Sequence, residues 1–166
     1  MTSLIIIGAV IFLCFGFVVF RGAPYVPSHQ KQLRRAFGEL YKLGDHDVLA
    51  DLGSGDGAVM AMANERGAKV IGYEINPLLW LGTTLRFWNN SGAKVVLRDY
   101  QTLTQLPKDV TVVYAFTTSH SIEEIGRKLE QWSAHQELYF ISYGFTLKSY
   151  TPVKTAGPMY LYRFPK

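Results

Sequence analysis

The sequence predicts an α/β domain with a mainly parallel sheet, finished by a C-terminal antiparallel hairpin and preceded by one transmembrane helix. Three observations carry this expectation. Short β-prone runs alternate with helical stretches from residue 47 onward, the pattern of βαβ units. A glycine-rich string stands where the first such strand passes into the first such helix, the place where open α/β sheets bind ligands. The first twenty of the 166 residues hold no charged side chain, whereas 18% of the whole chain is charged.

The 146 residues that follow make one domain, long enough to bury a sizeable core. At 48% apolar and 14% aromatic residues, the chain is neither a disordered tail nor a solvated coil. Its single cysteine, Cys14, excludes an internal disulfide framework and every multi-cysteine zinc pattern. The histidines at 29, 46, 120 and 135 form no HExxH motif, so no protein-built metal centre is expected.

Taken in order, Leu4 to Phe20 is a run of seventeen apolar residues that would span roughly 25 Å as a helix, the short end of what crosses a bilayer. It has no basic stretch before it, no good cleavage site after it and no polar stripe within it, which favours an anchor over residues 1–21 above a signal peptide or core helix. Cations follow the span, so the folded body is expected on the cytoplasmic side, or the matrix side in a mitochondrion. Residues 22–46 form a connector and a basic amphipathic helix. Two prolines keep 22–27 extended; Ser28 can cap a helix whose one face is Leu33, Phe37, Leu40 and Tyr41, and Gly44 can stop it. Lys31, Arg34 and Arg35 lie opposite.

Residues 47–166 hold the main domain. Strands are expected at 47–52, 69–74, 94–98, 111–116 and 137–143. Helices are expected at 58–66, at 77–89 with Asn76 as cap, and from 121 to about 132 with Ser121-x-x-Glu124 as a capping box. Two β-prone pieces, 149–155 and 159–164, bracket a turn at 156–158. Net charge is +4 over residues 21–43, −4 over 44–143 and +4 over the last 23. Basic ends around an acidic centre argue against a nucleic-acid groove through the middle and fit a body lying against anionic lipid.

The stretch from Asp51 to Gly57 carries the chemistry. Glycines at 53, 55 and 57 permit a sharp turn and let bare backbone N–H groups approach a ligand. Glu74 ends the second strand, 21 residues beyond Gly53, placed to accept both hydroxyls of a ribose. The glycines alone also satisfy a relaxed dinucleotide fingerprint. The discriminator is the acid two residues before the first glycine, which would repel the pyrophosphate of a dinucleotide.

The string Asp51-x-Gly53-x-Gly55-x-Gly57 resembles motif I of class I S-adenosylmethionine-dependent methyltransferases, which implies their Rossmann-like sheet. Read with Gly22-Ala23-Pro24-Tyr25-Val26-Pro27-Ser28 and Gly72-Tyr73-Glu74-Ile75-Asn76-Pro77, the chain is similar to the small membrane-anchored protein-lysine methyltransferases that modify the ATP synthase c subunit and the adenine nucleotide translocase, with their prokaryotic relatives. The similarity runs over roughly residues 22–143. It implies S-adenosyl-L-methionine held by Asp51, Gly53, Ser54, Gly55, Gly57, Glu74 and Asn76. Asp99 would accept from the adenine amino group and Tyr100 would cover the ring. The segment from Pro24 to Ser28 would close over the donor, and the acceptor would be a lysine of a membrane or membrane-adjacent protein. Tyr25, Phe116 and Thr117 are candidates for the pocket that strips water from that amine; His120 is either a base or a solvated loop residue. The chain departs from the family after the fourth strand, where Ala115-Phe116-Thr117-Thr118-Ser119-His120 replaces a proline-containing loop. The Asn-Pro-Pro-Tyr signature of nucleic-acid amino methylation is absent. A lipid or small-molecule acceptor, and a tethered module that binds the donor without catalysis, are the alternatives.

Overall fold

Val48–Leu52, strand β1, is buried along its whole length. An apolar run of that kind, broken only by Asp51, needs cover on both faces, and the rest of the chain supplies it. The computed structural model describes residues 4–6, 8 and 30–165. A short helix α1 (Gln30–Arg35) passes directly into a π-helical turn (Ala36–Leu40). After β1 come α2 (Ala58–Asn64), β2 (Lys69–Glu74), α3 (Pro77–Arg86) and β3 (Ala93–Leu97). A 3-10 turn (Tyr100–Thr102) leads to β4 (Val112–Phe116), α4 (Ser119–Ser133), β5 (Leu138–Tyr143), β6 (Lys154–Ala156) and β7 (Met159–Phe164).

The seven strands form one sheet in the order β3-β2-β1-β4-β5-β7-β6. The first five are parallel, while β7 runs antiparallel to both β5 and β6. Alternation along β1 splits the core into two layers. Leu49 joins Leu33, Phe37, Val59, Met60 and Phe87 on one face, and Ala50 and Leu52 join Ile122, Ile125, Leu129 and Trp132 on the other. Each large apolar side chain so buried contributes about 1.5–3 kcal/mol before chain entropy is set against it. Asp47 fastens the entry to β1: its carboxylate accepts from the Tyr41 hydroxyl at 2.8 Å, the Thr111 hydroxyl at 2.8 Å and the Gly44 amide at 3.0 Å.

Several expected boundaries shift. The helix before β1 widens into a π turn after Arg35, because Tyr41 N–H reaches back five residues to the Ala36 carbonyl at 3.0 Å. Thr118, not Ser121, caps α4, accepting from the Ser121 amide, so the expected capping box lies inside the helix. Helix α3 stops at Arg86, three residues early, and β6 is reduced to three residues. Ser28 lies outside the described residues, as does most of the expected anchor; residues 4–6 and 8 are helical. Among the described residues no helix is long and apolar enough to cross a membrane.

Candidate functional site

Parallel strands end together, and here they end on acids and aromatics. β1 leads into Gly53, β2 finishes on Glu74, β3 runs on to Asp99, β4 finishes on Phe116 and β5 on Tyr143. Register places Asp51 opposite Gly72 and Tyr114, and Phe116 opposite Tyr143. The pairing of β1 with β2 thus brings the glycine loop and Glu74 side by side.

Gly53, Gly55 and Gly57 all adopt positive φ, at 97°, 53° and 78°. The loop's amides turn inward, contrary to the expectation that they would face a ligand. Gly53 and Ser54 N–H both donate to the Tyr73 carbonyl, at 2.9 and 3.0 Å, and Gly57 N–H donates to the Ser54 carbonyl at 2.8 Å. Gly55 N–H donates to Glu74 Oε2 at 2.8 Å, and Asn76 N–H to Glu74 Oε1 at 2.7 Å. What the glycines contribute is therefore space. A Cβ on Gly53 would meet nothing within 4 Å, so the strand mouth is open there. Each Glu74 oxygen still has a lone pair for a ligand hydroxyl, and the two amides fix its orientation.

Asp51 is 2% exposed, and its Oδ2 has no hydrogen-bond partner among the described residues. Burial, then the negative charge of Glu74 and of Asp56, pushes its carboxyl up to about 8. A buried acid without a partner costs stability unless a cation arrives to meet it. Ser54 Oγ and Asn76 Nδ2 are likewise buried and unpartnered among the described residues, while Asn76 Oδ1 caps α3 by accepting from the Leu78 and Leu79 amides. Asp51 Oδ2, Ser54 Oγ and Asn76 Nδ2 are thus three buried polar atoms around the glycine loop with no partner among the described residues, and the acid among them is the group that suits a cation.

Asp99 holds the 3-10 turn, its Oδ1 accepting from Gln101 N–H at 2.9 Å. Burial raises the pKa of the Tyr100 phenol, opposed by a side-chain hydrogen bond with Thr117, which brings these two candidates together from different strand ends. Phe116 meets Tyr143 edge to face, with ring centroids 4.4 Å apart. Tyr143, the strand-end neighbour of Phe116, is not among the residues expected from the sequence; its only signal is an aromatic at the end of an expected strand. Gly72 and Thr83 are missed too. A Cβ on Gly72 would fall 2.4 Å from Met60 Sδ and 2.7 Å from Ser54 Cβ, and the Thr83 hydroxyl donates to the Gly55 carbonyl at 2.6 Å. His120 is exposed in the first turn of α4, whereas Phe116, Thr117 and Tyr143 are buried or half-buried. Tyr25 lies outside the described residues.

Residues 51–154 match the family described as the ANTKMT methyltransferase domain. The chain belongs to that family. It is 28% identical over 139 residues to the lysine N-methyltransferase of the ATP synthase c subunit from Rattus norvegicus, covering 81% of this chain and 61% of that protein. Against the protein of the same name from Homo sapiens it is 28% identical over 138 residues, covering 81% and 57%. The chain thus spans about three fifths of the length of these curated relatives. Among solved structures, an RNA methyltransferase from Salinibacter ruber in complex with S-adenosyl-L-homocysteine superimposes with a TM-score of 0.72 at 24% identity, covering 85% of this chain and 95% of that one. At that identity the likeness shows the fold, a Rossmann-like α/β methyltransferase sheet.

Proposed function

We propose that this family member is an S-adenosylmethionine-dependent protein-lysine methyltransferase, held at a membrane by residues 4–20. The observation that carries the reading is Asp51, a buried carboxylate whose Oδ2 has no hydrogen-bond partner among the described residues, beside an open glycine turn. The donor, when bound, supplies a methyl group already activated by positive sulfur. Asp51 would balance its cationic groups, Glu74 would accept from its ribose hydroxyls with both oxygens held by Gly55 and Asn76, and Asp99 with Tyr100 would bound the adenine side. Positioning supplies much of the rate in such an in-line displacement. Phe116, packed edge to face on Tyr143, would give an aromatic wall on which an amine loses water, which favours its neutral, reactive form. Thr117 follows Phe116 at the same strand end, and Tyr25 would close the donor side.

The lysine acceptor is supported by the rat and human relatives, whose names give a lysine of the ATP synthase c subunit as their substrate. The membrane is supported by the apolar run and the cations after it, which favour a single-pass arrangement with the body on the cytoplasmic or matrix side. Incubating the full chain with membranes and a methyl-labelled donor should place label on protein lysine, and Asp51→Asn should reduce it by at least about tenfold. Label in the lipid extract alone would move the acceptor to a lipid, and donor binding with no label in any fraction would leave a non-catalytic module.

A further inference from the structure

Between residues 30 and 165, seven large apolar side chains are exposed, and five of them share one rim of the molecule. Leu78, Leu81, Leu85 and Trp88 are 37%, 48%, 63% and 82% exposed. Their three- and four-residue spacing sets them in one stripe along the outer side of α3 and the turn after it, roughly 15 Å long. The opposite side of the helix, with Thr83 and Phe87, is buried against the glycine loop. Leu97, at the end of edge strand β3, alternates in phase with Ala93 and Val95, which pack in the same core layer as Phe87. It therefore extends the stripe across the sheet edge. A contiguous apolar face of this kind marks a contact surface, unlike single exposed leucines.

Charge identifies the partner. From Ile75 to Arg98 the chain carries Arg86, Lys94 and Arg98 and no acid, whereas the rest of residues 44–143 carries five bases against twelve acids. An acid-free, basic stretch of an acidic body coincides with its exposed apolar rim. Arg86 sits on α3 itself, its Nη1 donating to the Asp56 carbonyl at 2.9 Å and its other N–H groups left for a further acceptor, while Lys94 and Arg98 alternate to the other face of the edge strand, where long side chains can reach around the rim. Leucines and a tryptophan beside cations are the composition of a helix lying in a bilayer interface.

We infer that the outer face of α3, with Leu97 and the flanking cations, docks on an anionic lipid surface. The apolar stripe enters the interface, and Arg86, Lys94 and Arg98 meet lipid phosphates. Leu78 follows the capping Asn76, so the site end of α3 is held at the same surface and the strand mouth opens beside the bilayer. Acceptor groups near the headgroups then come within reach without release of the enzyme. The inference builds on the membrane part of the proposed function and is independent of methyl transfer.

The full chain is placed in vesicles of phosphatidylcholine with phosphatidylglycerol, with and without brominated acyl chains. Of the three tryptophans, Trp132 is buried and Trp80 partly so, which leaves Trp88 as the residue brominated lipid can reach. Docking predicts a loss of about a third of the tryptophan emission, absent in Trp88→Phe and abolished in Leu81→Glu/Leu85→Glu. Donor binding by calorimetry should be the same in that double variant as in the parent, which keeps this result separate from failure of the methyltransferase reading. An alkaline carbonate wash reports on the anchor independently. Unquenched Trp88 overturns the inference. If the chain is then a dimer that the double variant dissolves, a second copy covers the face; if it is a monomer, a protein partner or the chain's own N-terminal segment does.

Discussion

Asp51 is the residue on which the ligand chemistry turns, and its protonation should be measurable. Its folded-state value of about 8 stands above the unfolded carboxylate value of about 3.9, because burial and the nearby Glu74 and Asp56 charges disfavour ionisation. The folded, empty chain therefore keeps a proton that the unfolded chain releases. Its contribution is fully present below about pH 4 and is lost as pH rises through about 8. A cationic donor reverses the preference, since it binds the carboxylate form. Donor affinity should rise by about tenfold per pH unit up to about pH 8 and then level off, with a proton released on binding. In Asp51→Asn, calorimetry should find weak binding with no such slope; an unchanged slope would assign the titration elsewhere. The position of Asp51, two residues before the first glycine, is legible in the sequence. That its Oδ2 has no partner among the described residues is not, because that follows from the loop amides turning inward to Tyr73 and Glu74.

At the scale of elements, the glycine loop and α3 form one unit. Gly57 brings the loop so close to α3 that a Cβ would fall 2.8 Å from both Phe87 Cε2 and Thr83 Cγ2, at a φ of 78°. Gly53 has a φ of 97° with open space where a Cβ would stand. Alanine should thus separate packing from binding. Gly57→Ala should lower stability by about 2–3 kcal/mol through overpacking added to backbone strain. Gly53→Ala should cost about 1 kcal/mol while weakening donor binding more than its stability loss explains, which denaturant titration and calorimetry together would show. The elements themselves are legible wherever periodicity is strong: β2 occupies its expected residues and Asn76 caps α3 as its Asn-Pro spacing suggests. Expectation and structure part where local chemistry competes. Thr118 takes the cap of α4 ahead of Ser121, and the π turn after Arg35 has no sequence signature because it arises from docking Phe37 and Leu40 into the core.

For the whole molecule, the sheet order joins both core layers through shared strands, so the domain should unfold as one cooperative unit. The site is assembled from the ends of β1 and β2, which belong to that unit, and no part of it can form in the unfolded chain. A ligand of this site then binds only the folded state and stabilises it by mass action, by about 2.7 kcal/mol at a hundred times its dissociation constant. For a domain of this size that corresponds to a rise in Tm of roughly 5–10 °C. Saturating S-adenosylmethionine should produce such a shift in a thermal scan of the full chain. Glu74→Gln should at least halve it, because an amide can keep only one of the two acceptors that orient the loop while replacing a ribose acceptor with a donor. A shift of equal size in the variant would place the donor away from the end of β2 and require a different reading of the mouth.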